Sequence, residues 1–352
     1  MHRITTLFTA LAATVISLSA CGSSGSVASA LTGSFSAAKT RAVVIVSGVA
    51  AITPFTTPTA ACKNGYAAGN SDTYLREVLL NKGYAVYTSP AMAGPGPVTD
   101  QAGEGGPFDT CPVALPAEMT VNAVGSVIVG GKSLANFIVY LNKTYGITEV
   151  DLVAHSLGGL FSREGVAELQ RRNSPVKVKS LTTVGSPWES PMLARPTDPK
   201  DPLSACDGLK ICAGILKALL SIPSTSVIID FFQLDAFKTW TNAQAGVLND
   251  IPVTLIGGTY FNQGKDPEKW PNDGLIQIKA AMATTIPDAV LPLRSCFKWN
   301  NAHSIFISKL VNLPNEQALT WNPEVAQVVA NAISSADTAM TQPNRVGCPA
   351  AF

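Results

Sequence analysis

Two kinds of apolar pattern alternate along the chain after residue 40. Short continuous apolar runs are typical of strands buried on both faces, whereas apolar residues repeated every three or four positions indicate helices. The predicted strands are Ala42–Ser47, Tyr84–Tyr87, Glu149–Ala154, Val178–Val184 and Pro252–Gly257. The predicted helices are Ser71–Lys82, Glu118–Tyr145, Leu157–Arg171, Ile211–Leu220, Ser226–Phe237, Asn301–Leu310 and Glu324–Met340. This alternation favours an α/β fold with a doubly wound, mostly parallel sheet.

Two regions depart from this alternation. Residues 89–116 are rich in glycine and proline and predict an irregular excursion. Residues 191–250 show no clear strand pattern but contain two of the apolar helices. We therefore expect a helical cap over about 191–250, inserted late in the fold.

The N-terminus has the pattern of an export signal. Met1-His2-Arg3 is a short positive segment, and the apolar run Leu7–Leu18 is too short to span a membrane. The run ends in Leu18-Ser19-Ala20-Cys21, which resembles the lipobox of bacterial lipoproteins, whose cysteine is acylated and becomes the mature N-terminus. We therefore predict a signal peptide over 1–20 and a lipid anchor on Cys21.

The residues that follow are consistent with a membrane-anchored protein. Residues 21–40 are rich in glycine, serine and alanine and predict a flexible tether. The alternative is ordinary secretion, with cleavage after Ala30 and loss of Cys21. Both interpretations place the protein outside the cytoplasm, and the first predicts membrane association through the lipid anchor.

Length and charge restrict the function further. Without residues 1–20 the chain has 352 − 20 = 332 residues, which suits one large domain over 41–352. Removal of Arg3 leaves 25 − 1 = 24 basic residues against 24 acidic residues, so there is no electrostatic footprint for nucleic acid. Charged residues make up 14% of the chain, against about 25% in typical domains. Such a composition is consistent with a protein that acts at apolar surfaces. A large hydrophobic core explains it equally well.

Six cysteines remain after Cys21, and an even number in an exported protein favours disulfides. Cys206 and Cys212 are close enough in sequence to form one small loop. Cys62–Cys111 and Cys296–Cys348 would then fix an early loop and the C-terminal tail, although spacing leaves other pairings open. Metal binding is the alternative, but no Cys-x-x-Cys motif or histidine cluster supports it.

Residues 149–160 combine a buried strand, a sharp turn and the start of a helix. Ser156 lies in the turn between two small residues, Ala154 and Gly158, where larger side chains would not fit. This is the pattern of a nucleophile elbow. Such a turn lifts one hydroxyl above the edge of the sheet, where a helix N-terminus can help to bind a developing oxyanion.

A serine hydroxyl becomes a good nucleophile only when a base takes its proton. The chain has three histidines. His2 is removed with the signal peptide, and the turn is expected to point His155 away from Ser156. His303 is therefore the predicted base.

An acid must orient the base and stabilise its positive charge. The chain order Ser–Asp–His restricts the acid to residues 156–303. Asp273, in an Asn-Asp-Gly turn, is the first choice, and Asp288 in a later loop is the second. Asp230 and Asp235 fall in an apolar helical stretch and are less suitable.

These motifs resemble those of bacterial true lipases of the α/β-hydrolase superfamily, especially the Pseudomonas/Burkholderia type. The matching segments are Val150–Leu160, Phe161–Arg163, Leu181–Pro187, Asn272–Gly274 and Lys298–His303, within a resemblance that runs from about 42 to 310. The resemblance implies an α/β-hydrolase fold with a helical cap. It also implies a triad of Ser156, Asp273 and His303 that hydrolyses esters.

In that family the first strand ends in His-Gly-x, and the residue after the glycine donates one oxyanion-hole N–H. Here the segment is Ser47-Gly48-Val49, so the resemblance implies Val49 and Leu157 as the two donors, with serine in place of histidine. The family's structural calcium depends on an acidic residue two positions after the histidine. This chain has Ile305 there, so neither calcium nor another metal or cofactor is predicted.

The expected function is that of an exported serine carboxylic-ester hydrolase, a lipase or esterase. It would act through an acyl-enzyme on lipid or other esters with apolar acyl chains. Within the cap, Ser226–Phe232 is interpreted either as a mobile apolar lid or as a static covering helix. An acyltransferase or a polyester depolymerase would use the same triad, whereas a non-catalytic envelope protein would not need these three residues in this order.

Overall fold

The computed structural model describes residues 40–62, 66–68, 71–99, 113–198, 200–222, 231–338 and 344–348. The predicted signal peptide, Cys21 and all of the tether except Thr40 lie outside these ranges, as do Cys111, Asp230 and most of Ser226–Phe232. Within the described ranges, none of the helices combines the length and the apolar character needed to cross a membrane.

A seven-stranded sheet, with every neighbouring pair parallel, forms the centre of the fold. The strands of the described residues are β1 (Arg41–Val46), β2 (Val86–Thr88), β3 (Ala91–Met92), β4 (Val121–Asn122), β5 (Glu149–His155), β6 (Lys177–Val184), β7 (Val253–Gly258), β8 (Leu293–Trp299) and β9 (Asn344–Val346). The order in the sheet is β2-β1-β5-β6-β7-β8-β9, and β3 and β4 form a separate two-stranded ribbon.

Helices follow most of the strands. In the described residues they are α1 (Thr73–Asn81), α2 (Val127–Tyr145), α3 (Gly158–Arg171), α4 (Lys210–Leu220), α5 (Leu234–Asn242), α6 (Ile278–Ala281), α7 (Ile305–Leu310) and α8 (Pro323–Ser335). Short 3-10 helices occur at Ala117–Met119, Met192–Ala194, Pro202–Cys206, Asn315–Gln317 and Leu319–Trp321. Helices α4 and α5 lie in the predicted cap, between β6 and β7.

The continuous apolar character of β1 reflects burial on both faces of the sheet. Successive side chains of a strand point to opposite faces. Val43 and Ile45 pack in one core layer with α1 and α8, whereas Val44 and Val46 belong to the larger core that contains α2 and α3. This two-layered core, the parallel sheet and the sharp β5–α3 turn confirm the predicted α/β-hydrolase fold.

The segment Glu118–Tyr145 is mostly helical, as predicted, but it is interrupted near its start. Ala117–Met119 is a 3-10 helix, β4 follows, and α2 begins only at Val127. The Asn122 side chain explains the break, because its Oδ1 accepts a hydrogen bond from the backbone N–H of Val124 at 3.2 Å and turns the chain. The second strand begins two residues later and ends one residue later than the predicted Tyr84–Tyr87.

The predicted helix Asn301–Leu310 begins only at Ile305. The backbone N–H of His303 donates to the carbonyl oxygen of Asp273 (2.8 Å), which holds the preceding residues in a loop. Ser304 then caps the helix. Strands β8 and β9 were not predicted, because β8 carries polar residues and β9 has only three residues.

Two of the predicted disulfides are present. Cys206–Cys212 closes a loop at the start of α4, and Cys296–Cys348 joins β8 to the segment after β9. Cys62 is also disulfide-bonded. Its predicted partner, Cys111, lies outside the described residues.

Candidate active site

Ser156 lies in the turn between β5 and α3, at the carboxyl edge of the sheet. It has a φ of 54°, a left-handed conformation that residues other than glycine rarely adopt. Its backbone N–H donates to the carbonyl oxygen of Val184 (2.9 Å), which ties the turn to β6. The predicted elbow is therefore present as a tight strand–turn–helix junction.

Two glycines allow the chain to pack closely around this turn. A Cβ at Gly158 would lie 2.7 Å from the carbonyl oxygen of Ser47 and closer still to that of Val46. A Cβ at Gly48 would lie 2.6 Å from the Cβ of Ser156. The end of β1 therefore lies directly against the elbow, and larger residues are excluded from both positions.

Asp273 and His303 form a buried pair on the loops that follow β7 and β8. The Nδ1–H of His303 donates to Oδ2 of Asp273 at 2.7 Å. The other oxygen, Oδ1, accepts the backbone N–H groups of Leu275 (3.0 Å) and Ile276 (2.8 Å). Since Asp273 is fully buried and orients Nδ1, the Nε2 atom of His303 is left for a second partner.

The second-choice acid occupies a different environment. Asp288 accepts a hydrogen bond from the guanidinium of Arg294 (2.6 Å), and its side chain is half exposed. Asp235 lies on an exposed turn of α5, and Asp230 is outside the described residues. Among these carboxylates, Asp273 is the one bonded to His303.

Ser156 and His303 line one cavity of about 230 Å³, which we call the outer cavity. Its walls also include Gly48, Phe306 and Ile307. The two residues predicted as nucleophile and base, 147 positions apart in the sequence, therefore face the same space. Asp273 lies behind His303, so the structure brings all three predicted residues together.

Two backbone N–H groups beside Ser156 are available to a ligand. Neither the N–H of Val49 nor that of Leu157 has an acceptor among the described residues. Both residues line a cavity with Ser156. Unpaired amides next to a serine hydroxyl are what an oxyanion hole requires.

The loop that carries Val49 is supported by a buried carboxyl group that the sequence did not reveal. The Ser47 hydroxyl donates to Oδ2 of Asp72 and accepts from the hydroxyl of Thr53 (2.7 Å). Burial raises the pKa of Asp72 to about 6, although the hydrogen bond from Ser47 acts in the opposite direction. Serine at position 47 thus has a support of its own where the lipase family has histidine.

The sequence indicated only that His155 points away from Ser156, and not which contact its ring makes. Its Nε2–H donates to the carbonyl oxygen of His303 at 3.0 Å, and the two rings are 4.7 Å apart between centroids. Burial, with a smaller effect from His303, lowers the pKa of His155 to about 3, so the ring is neutral at ordinary pH. It therefore supports the backbone of His303 in the wall of the outer cavity, through a contact between residues 148 positions apart.

A second cavity, which we call the inner pocket, also opens at Ser156. It has a volume of about 40 Å³, and its walls include Leu157 and the cap residues Leu216 and Phe232. Apart from Ser156, every described residue in its wall is apolar. The site thus offers one small apolar pocket and one larger cavity, and Ser156 lies in the wall of both.

The described residues contain no group of three or more histidine, cysteine, aspartate or glutamate side chains that would hold a metal ion.

No protein-family model and no curated protein sequence matches the chain. Solved structures with a similar fold include the lin2722 gene product of Listeria innocua, with 15% identity, a TM-score of 0.42, and coverage of 88% of this chain and 98% of that one. The mature lipase BlEst2 of Bacillus licheniformis has 16% identity, a TM-score of 0.40, and coverage of 78% and 92%. The esterase Pf2001 of Pyrococcus furiosus has 14% identity, a TM-score of 0.41, and coverage of 83% and 83%.

Proposed function

We propose that this protein is a serine carboxylic-ester hydrolase of the α/β-hydrolase type. The observation that carries the proposal is the buried pair of Asp273 and His303, whose imidazole shares a cavity with the elbow serine, Ser156. The unpaired amides of Val49 and Leu157 support it, because they lie where a developing negative charge would need donors. The proposal includes the residue roles that the resemblance to true lipases implies.

In the proposed reaction, the Ser156 hydroxyl attacks the ester carbonyl while Nε2 of His303 takes its proton. The resulting oxyanion is bound by the N–H groups of Val49 and Leu157, and Asp273 stabilises the imidazolium. His303 then returns the proton to the leaving alkoxide, which departs as an alcohol and leaves an acyl-enzyme. Water, deprotonated by His303, releases the acid and regenerates the serine.

The first test is hydrolysis of p-nitrophenyl butyrate by the wild type, Ser156→Ala and His303→Ala. We expect each substitution to lower kcat by at least about 10,000-fold, because the residues of such a triad act as a unit. Ser334→Ala, on an exposed turn of α8, is the matched control and should retain full activity. Wild-type protein that is folded but inactive on activated esters, or an active Ser156→Ala, would contradict the proposal.

We also propose export and lipid anchoring through the N-terminal segment, on the lipobox-like sequence that ends at Cys21. The full chain expressed in a bacterium should incorporate labelled palmitate and sediment with membranes. Cys21→Ser should do neither. Palmitate-free wild type released into the medium would favour the secretion alternative.

A further inference from the structure

The two cavities that meet at Ser156 differ in size and in the residues that form them. The inner pocket has about 40 Å³, whereas the outer cavity has about 230 Å³. Both include Val49 and Ser156, so each is in reach of an ester whose carbonyl is held at the serine. The two parts of an ester, acyl group and alcohol, must therefore be divided between unequal spaces.

Proton transfer determines which part goes where. The leaving alkoxide must receive its proton from His303, and His303 lines the outer cavity. The alcohol part therefore lies in the outer cavity. The acyl substituent, on the other side of the reacting carbonyl, is directed towards Leu157 and into the inner pocket.

The inner pocket sets a size limit on the acyl group. Its volume of about 40 Å³ is several times smaller than the 230 Å³ of the outer cavity, so the shorter part of an ester is the part that fits there. The outer cavity is several times larger, and Ile215, Phe306 and Ile307 give its wall an apolar part.

The wall that closes the inner pocket is firmly held. Leu216 of α4 is buried in the cap's own small core, together with Met192 and both cysteines of the Cys206–Cys212 disulfide. The carbonyl oxygen of Phe232 accepts a hydrogen bond from the Ser190 hydroxyl (2.7 Å). Burial holds the Leu216 side chain, and the hydrogen bond holds the backbone of Phe232, so both contacts oppose enlargement of the pocket.

The adjoining segment is fixed to the main domain as well. The side chain of Gln277, next to α6, accepts the backbone N–H of Met192 (2.8 Å) and donates to the carbonyl oxygen of Ser190 (3.1 Å). Gln277 is itself buried. The base of the pocket is thus joined to the loop that begins at Asp273.

We propose that the protein selects esters of short acyl groups with a bulkier apolar alcohol. This inference depends on the proposed ester hydrolase function. A typical lipase substrate has a long acyl group. Here the long part of the substrate is the alcohol, and the acyl group is the short part. Leu216 and Phe232 are then residues that determine acyl-chain specificity.

The test uses two isomeric esters, octyl acetate and ethyl octanoate, which have the same atoms and differ in where the long chain lies. We expect kcat/KM to be at least about tenfold higher for octyl acetate, since even single methylenes alter selectivity by about tenfold or more. Equal rates, or faster hydrolysis of ethyl octanoate, would overturn the inference but leave the hydrolase proposal intact. No turnover of either isomer or of p-nitrophenyl acetate would overturn both.

Enlarging the inner pocket provides a second, independent readout. Leu216→Ala should raise kcat/KM for ethyl octanoate relative to octyl acetate by about tenfold, because it opens the acyl side. Leu193→Ala, at a half-buried position in the same wall, should act in the same direction and serves if Leu216→Ala does not fold. Phe306→Ala, in the outer cavity, should change kcat/KM for octyl acetate instead. An unchanged isomer ratio in folded Leu216→Ala and Leu193→Ala would contradict the assignment.

Discussion

The nucleophile elbow and the cap meet at Ser156 but are held in place by different means. Residues 150–169, which span β5 and α3, are buried throughout, and the elbow depends on backbone segments that touch at glycines. Helices α4 and α5 of the cap each have an exposed face, and the described part of the cap is held by individual contacts such as Cys206–Cys212. In the proposed hydrolase, the elbow would fix where an ester reacts, and the cap would determine which ester fits.

The largest expected effect lies on the elbow side, at the acid of the proposed triad. Asp273→Asn should lower kcat by about 10,000-fold, because an amide would orient the wrong tautomer of His303. Asp288→Asn is the control and should change kcat by less than about threefold, since Asp288 is half exposed and pairs with the buried guanidinium of Arg294 rather than with His303. Steady-state kinetics with p-nitrophenyl butyrate measures both. The assignment of Asp273 is wrong if Asp288→Asn causes the greater loss.

A pair of glycine substitutions compares the two regions directly. Gly158→Ala should lower the free energy of unfolding by about 3 kcal/mol, because its Cβ would overlap with the backbone of β1, which cannot move aside. Gly214→Ala, in α4, should raise it by about 0.5–1 kcal/mol, because nothing lies within 4 Å of its Cβ and alanine favours a helix. Urea denaturation gives both free energies of unfolding. Equal destabilisation by the two substitutions would contradict the difference in packing between the elbow and the cap.

The smallest effect concerns pH. The pKa of buried Asp72 is about 6, against an ordinary value of about 4, so the folded protein binds this proton more tightly than the unfolded chain does. The resulting stabilisation is present below about pH 4 and is lost as the pH rises through 6. Asp72→Asn should therefore increase the free energy of unfolding more at pH 8 than at pH 5, by about 1.4 kcal/mol.

Urea denaturation of wild type and Asp72→Asn at the two pH values measures this difference. Asp235→Asn, at an exposed position of α5 in the cap, is the matched control and should change stability by less than about 0.5 kcal/mol at either pH. A gain for Asp72→Asn that is the same at pH 5 and pH 8 would exclude ionisation of Asp72 as its cause.

The elbow side was predictable from sequence because its constraints are local. The small residues Ala154 and Gly158 reveal the tight turn around Ser156. The chain has only three histidines, and the chain order Ser–Asp–His restricts the acid, so few candidates remain for the base and the acid. Continuous apolar runs likewise revealed most of the central strands, since these are buried on both faces.

What the sequence did not reveal depends on contacts between distant residues. The support of His303 by His155, and of Ser47 by Asp72, requires the sheet to bring separate loops together. Strand β8 was missed because polar residues interrupt its apolar pattern. Its pairing with β7 is what identifies it as a strand. The volumes of the two cavities depend on how the cap packs, which no local pattern encodes.

The most direct test of the central claim is labelling with a fluorophosphonate, followed by peptide mapping of the adduct. A fluorophosphonate reacts with a serine that is activated by a neighbouring base. Folded wild type should carry one adduct, on Ser156. Ser156→Ala should carry none, and His303→Ala should react much more slowly. A wild type that does not react, or a Ser156→Ala variant that reacts equally at another residue, would contradict the assignment of this protein as a serine hydrolase.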